Sequence, residues 1–136
     1  MVMTLLELYN LAEKENIEID NFPMKEVVAM SFPQNWIVMD IRKIQTSTEE
    51  KVYLAHELGH CMTGSFYNIE SKLNFKNKCE TKANRWAIKT LIPKEKLKQA
   101  IRMGLHETWE LAEYFDVPEF FIRQAIEYYR IRGEKL

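Results

Sequence analysis

The stretch Val52–Gly64, VYLAHELGHCMTG, constrains this chain more than any other, because it asks for a helix that is largely uncharged yet carries two of the three histidines. Its surroundings supply the helix signals. Ser47 and Glu50 have capping-box spacing, good helix formers run through to His60, and Gly64 opens a polar connection. Residues four apart on a helix lie one turn above each other, so His56 and His60 direct both imidazoles at one place. Glu57 lies about 100° further round. That angle takes it out of a common ligand set and leaves it free to hydrogen-bond a water between the histidines. The pattern is H-E-x-x-H, in which two histidines hold Zn²⁺ and the glutamate takes a proton from the attacking water and passes it to the leaving amine. The competing reading is a solvated helix that carries two histidines by accident. Tyr53, Leu54 and Ala55 before the motif, and Leu58, Gly59 and Cys61 within and after it, argue against an exposed face.

A catalytic zinc site has three protein ligands and leaves the fourth position to water. Thr63 and Phe66 stand where a metzincin would place Gly and His, so that class is excluded. Glu80 is the leading third ligand. It lies 20 residues after His60, in what reads as the first turn of a helix capped by Asn77, and Ala83, Asn84 and Ala87 share its face. Small residues there let this helix approach the first closely, with Gly59 small in return, and Asn84 is placed to support the ligands. Glu70 in the connection and His106 after Gly104 are the alternatives, and a plain first-turn carboxylate favoured by the helix dipole is the bland account of Glu80. Cys61 and Cys79 adjoin proposed ligands but face away from them. Tyr67 is a candidate to stabilise the oxyanion, weighed against surface packing.

Around this motif the pattern is α+β and mostly helical. Thr4 and Glu7 cap a first helix, IEIDNF alternates as a strand, and EVVAMSF and WIVMDI form an antiparallel hairpin across PQN, giving about three antiparallel strands in all. Pro93 ends the Glu80 helix and starts another, from Lys94 to about Met103. Residues 107–132 read as two helical runs broken at DVP, with a helix-turn-helix outline. Residues 1–136 are the length of one domain. Trp86, Trp109, Tyr114 and Phe115 are expected in the core.

Lys and Arg number 19 against 20 Asp and Glu, which gives no electrostatic reason to expect nucleic acid or an anionic membrane as partner. The N-terminal segment lacks a basic region and an uninterrupted apolar run, no stretch is long enough to span a bilayer, and two cysteines suit a reducing compartment. A cytoplasmic protein is expected.

The order of hairpin, STEEKVYLAHELGH, ETKANRWAIKTLIP and LAEYFDVPEFFIRQAI resembles the ImmA/IrrE metallopeptidases of phages, mobile elements and bacteria, from about Met24 to Tyr129. The resemblance implies a minimal zincin-like fold with one catalytic Zn²⁺ on His56, His60 and Glu80, and Glu57 as base. It further implies a site-specific protease of a helix-turn-helix repressor of a phage, mobile element or stress regulon. Trp86 stands where the family often has Phe. The DNA-binding and sensor-like domains fused to some members do not occur in these 136 residues, so regulation is expected from a partner or from substrate supply.

Two rival functions fit parts of the sequence. The C-terminal outline suits a DNA-binding regulator that contains zinc. Arg123, Arg130, Arg132 and Lys135 are, however, offset by Glu119, Glu127 and Glu134, and Phe120, Phe121, Ile122, Ile126 and Tyr129 read as packing. The other rival keeps zinc without catalysis, as an antirepressor that binds its repressor; Glu57 argues for chemistry instead.

Overall fold

The computed structural model describes residues 2–133; Glu134 and Lys135, counted above among the C-terminal charges, lie outside them. In chain order the elements are α1 (Leu5–Lys14), β1 (Glu18–Asn21), β2 (Ala29–Phe32), β3 (Trp36–Met39), a short 3₁₀ turn (Ile41–Lys43), α2 (Ser47–Thr63), α3 (Leu73–Leu91), α4 (Lys94–Arg102), α5 (Thr108–Phe115) and α6 (Glu119–Ile131). None of these helices is long and apolar enough to cross a membrane.

The expected capping box of α1 is present on Thr4 and Glu7. The cap of α2 falls one residue earlier than its spacing indicated. Thr46, not Ser47, accepts from the Glu49 amide. α3 begins at Leu73 without a side-chain cap, so Glu80 sits two turns inside the helix rather than in its first turn. The helix dipole therefore does not account for that carboxylate, because the effect fades within the first turn.

Three strands form as expected, but the sheet is mixed rather than antiparallel. Its order is β1-β3-β2, with β2 antiparallel to β3 in register Ala29↔Met39, and β1 parallel to β3 in register Glu18↔Trp36. Residues 22–28 carry the chain past the slot that β3 then fills, which makes β3 the central strand. Its Ile37, Val38 and Met39 are buried as a continuous apolar run, as a strand covered on both faces requires. The crossing segment is pinned from beyond β3. Asp40, fully buried, accepts from the Met24 amide at 2.9 Å and from Arg42 in a two-pronged contact at 3.0 Å. Lys43 donates to the carbonyls of Met24, Lys25 and Val27 at 2.5–3.2 Å.

α2 runs through the centre of the core, with Leu54, Ala55 and Leu58 fully buried. Each such leucine contributes about 1.5–3 kcal/mol by leaving water. Phe115, Phe121, Ile122, Ala125 and Tyr129 of α5 and α6 join the same core as Ile88, Leu91 and Ile92. Two polar contacts tie this C-terminal pair down. The Tyr129 hydroxyl donates to the Ile92 carbonyl at 2.8 Å, and the buried Lys51 ammonium of α2 donates to the Phe115 carbonyl at the end of α5, also at 2.8 Å. The aromatic expectation needs correction, since Trp109, Tyr114 and Phe120 are exposed while Phe115 is fully buried and Trp86 only packs against the core. α5 turns one face to the core, and that face is taken by Leu111, Ala112 and Phe115.

Candidate active site

α2 and α3 come together at a point where neither has a side chain in the way. A Cβ added to Gly59 would lie 2.5 Å from the Ala83 carbonyl oxygen and 2.9 Å from its Cα, so the two backbones touch there. This approach lets Glu80, three residues before Ala83, reach the histidines of the facing helix. Its two carboxylate oxygens lie 2.7 Å from His56 Nε2 and 3.1 Å from His60 Nε2. Glu70 and His106, the alternative ligands, are both exposed, and neither joins the group of His56, His60 and Glu80.

The other ring nitrogens are held by acceptors. His60 Nδ1 lies 2.6 Å from the Ser65 carbonyl, and His56 Nδ1 lies 3.3 Å from Asn84 Oδ1. The Ser65 contact depends on Gly64, whose φ of +63° reverses the chain at the end of α2 and folds Ser65 back beneath His60. An acceptor at Nδ1 takes the proton there, so that Nε2 offers a ligand lone pair whenever no proton bridges it to Glu80. Two such lone pairs facing one carboxylate repel unless a proton or a cation lies between them. This donor set fits a metal ion. One nitrogen from each histidine and one oxygen of Glu80 lie within 4.8 Å of one another, near enough to serve as ligands of a single ion.

The charges bear the imprint of this packing. Hydrogen bonds from His56 and His60, then one from Tyr67, hold the Glu80 carboxyl far below its usual range against the opposing effect of burial. Burial pulls the His56 pKa down, but its hydrogen bond to Glu80 and the charges of Glu57 and Glu80 outweigh this and leave it raised. Glu57 is 8% exposed, and burial raises its pKa despite His56, a hydrogen bond with Ser31, and His60. The Tyr67 hydroxyl donates to Glu80 at 2.7 Å, and its pKa is pushed up to about 12 by burial and that contact.

These residues line a cleft of about 410 Å³ whose opposite wall is β2, with Ala29, Met30 and Ser31. Because β2 pairs with β3 alone, its other edge is open. The Val28 carbonyl accepts from Asp40, so residues 28, 30 and 32 bond inward and the backbone groups of Ala29 and Ser31 point out along the open edge. Sequence reasoning left open which strand would face the cleft. It also missed the Ser65 carbonyl, for which Gly64 was the available signal, and the Ser31 hydroxyl, for which there was none. Asn84 was anticipated as a support, and the geometry gives it to His56. Cys61 and Cys79 are free thiols, and Cys79 turns towards the Phe66 carbonyl at 3.7 Å.

No curated protein matches the chain significantly. The model of one protein family, a peptidase family described as the IrrE N-terminal-like domain, matches residues 12–127, which takes in every element from the end of α1 to most of α6. With His56, His60 and Glu80 grouped as candidate metal ligands and a match over most of its length, the chain belongs to the IrrE N-terminal-like family of peptidases.

Proposed function

We propose that this protein is a zinc-dependent endopeptidase that cuts a helix-turn-helix transcriptional repressor of a phage, mobile element or stress regulon in the cytoplasm. The observation that carries the peptidase reading is the convergence of two imidazole Nε2 atoms and the Glu80 carboxylate beside the buried carboxyl of Glu57. The repressor as substrate is drawn from the family likeness.

His56, His60 and Glu80 would hold one Zn²⁺, which when bound supplies a Lewis acid for the scissile carbonyl and an acidified water near neutral pH. Glu57 does the proton work. Its raised pKa brings it nearer neutrality, where a carboxylate takes a proton from the attacking water and returns it to the departing amine nitrogen. Ser31 faces Glu57 in the cleft and favours its charged form. Asn84 and Ser65 keep the imidazoles in the ligand tautomer. Tyr67 steadies Glu80 and lies on the cleft wall, within reach of negative charge developing on the carbonyl oxygen. The open edge of β2 receives an extended segment as an added strand, which presents a peptide bond to the cleft. In this reading residues 1–136 act as one domain, and the C-terminal pair completes it without contacting DNA, since Phe121, Ile122, Ala125 and Tyr129 are spent on the core.

The test is zinc analysis of the purified protein together with incubation of wild type and Glu57→Gln with the repressor encoded nearest its gene. Cleavage by wild type alone is expected. If both proteins bind the repressor and leave it whole, the function is sequestration.

A further inference from the structure

A second concavity, of about 390 Å³, opens on the opposite side of Glu57 from Tyr67 and Glu80. It is continuous with the catalytic cleft, because Val27, Ala29, His56 and Glu57 line both. Its remaining walls come from four places, one of them Asn84 of α3, which also meets His56. Val27 and Val28 are held by the Lys43 and Asp40 contacts at the entrance to β2, Val52 and Tyr53 stand one turn before His56 on α2, and Phe120 and Gln124 reach over from α6. Apart from His56 and Glu57 themselves, no ionisable carboxyl or amine lines it. Phe120 is 48% exposed and Tyr53 36% exposed, so two aromatic faces stand in water at its rim beside a carboxyl that is almost wholly buried. The cleft on the other side has the Glu80 carboxylate and the Tyr67 hydroxyl instead.

The geometry points to a specificity subsite here, in which Phe120 and Gln124 of α6 and Tyr53 of α2 receive the apolar side chain of a residue flanking the scissile bond. This rests on the peptidase reading and adds the substrate class: an extended segment with a large apolar residue next to the cut. A strand added along β2 has its side chains alternating between the two faces, so when the peptide bond lies at Glu57 a flanking side chain falls beside it, where the apolar walls stand. Gln124 is the one neutral polar group on α6 in this wall, and its amide offers a hydrogen bond to the backbone of the same substrate residue.

The experiment uses zinc-loaded Glu57→Gln, which binds without turnover, and capped hexapeptides Ala-Ala-Xaa-Xaa-Ala-Ala in which each central position is varied among Ala, Leu, Phe, Lys and Asp. Binding is read by competition against a fluorescent repressor fragment. Peptides with Leu or Phe at one central position should bind at least tenfold more tightly than those with Ala or Asp. Adding Phe120→Glu should erase that preference and shift it towards Lys by a similar factor, while zinc content and circular dichroism stay as in the parent. Equal binding of all peptides, or an apolar preference that survives Phe120→Glu, overturns the subsite. Failure of the peptidase reading looks different: wild type leaves the preferred peptide and the repressor intact although the binding preference persists.

Discussion

The α2–α3 contact and the hollow between α2 and α6 flank the same glutamate and are built in opposite ways. Between α2 and α3 the residues at the crossing are small, the backbones touch at Gly59 and Ala83, and polar groups are drawn into the gap that remains. Between α2 and α6 the residues are large, and a hollow lined by Val52, Tyr53 and Phe120 is left beside the site. Close approach positions atoms to a fraction of an ångström, which ligands and proton transfer require. A hollow with apolar walls is tolerant of position and selects by size and hydrophobicity. In the proposed peptidase, chemistry falls to the first contact and recognition to the hollow.

The largest break is expected at Glu57 itself. Glu57→Gln should lower cleavage by roughly 10²–10⁴-fold while zinc content is unchanged, as measured by repressor cleavage and metal analysis on the same samples. An equal loss of zinc would mean that Glu57 is a ligand and that the roles assigned within the α2–α3 contact are wrong. Next, Gly59→Ala adds one methyl where only backbone can give way, and should cost about 1–3 kcal/mol in urea unfolding despite the better helix propensity of alanine. It should also weaken zinc binding, because separating α3 from α2 withdraws Glu80. Tyr67→Phe tests support of Glu80 without disturbing the crossing, and should reduce zinc affinity by roughly 10–100-fold in a chelator competition.

The smallest effect concerns the tie from α2 to the C-terminal helix pair. Lys51 is buried on α2, donates to the Phe115 carbonyl, and has Asp116 and Glu7 as the charges acting on it. Burial lowers its pKa, and those two acids only partly restore it. The unfolded chain therefore binds the extra proton between the lowered value and the ordinary one of about 10.4, and in that window stability rises with pH. Wild type should gain on Lys51→Met as pH increases towards that value, measured by denaturant unfolding of both proteins at several pH values. A difference independent of pH would remove the ammonium from the account.

Much of the arrangement was legible in the sequence. The i, i+4 spacing of His56 and His60, the offset of Glu57 and the small residues Gly59, Ala83 and Ala87 are local facts, and a helix turns them into geometry without further information. The start of α3 was not legible, because Asn77 has cap spacing to Glu80 but lies inside a helix begun at Leu73. Nor was the parallel pairing of β1, since the sequence of residues 22–28 does not say whether the chain turns back beside β1 or crosses over it. Exposure of Phe120 beside the burial of Phe121 follows from which face of α6 meets the core, a choice that neighbours in space make.

By itself, then, the sequence determined the existence of the helices, the residue types of the candidate metal site and the family outline, because each depends on periodicity and spacing within single segments. The tertiary structure alone decided that Glu80 meets both histidines, that β2 offers the open edge, and that α6 walls a second hollow beside Glu57. Those depend on where segments distant along the chain come to rest, and packing against a shared core fixes that only when all of them are present.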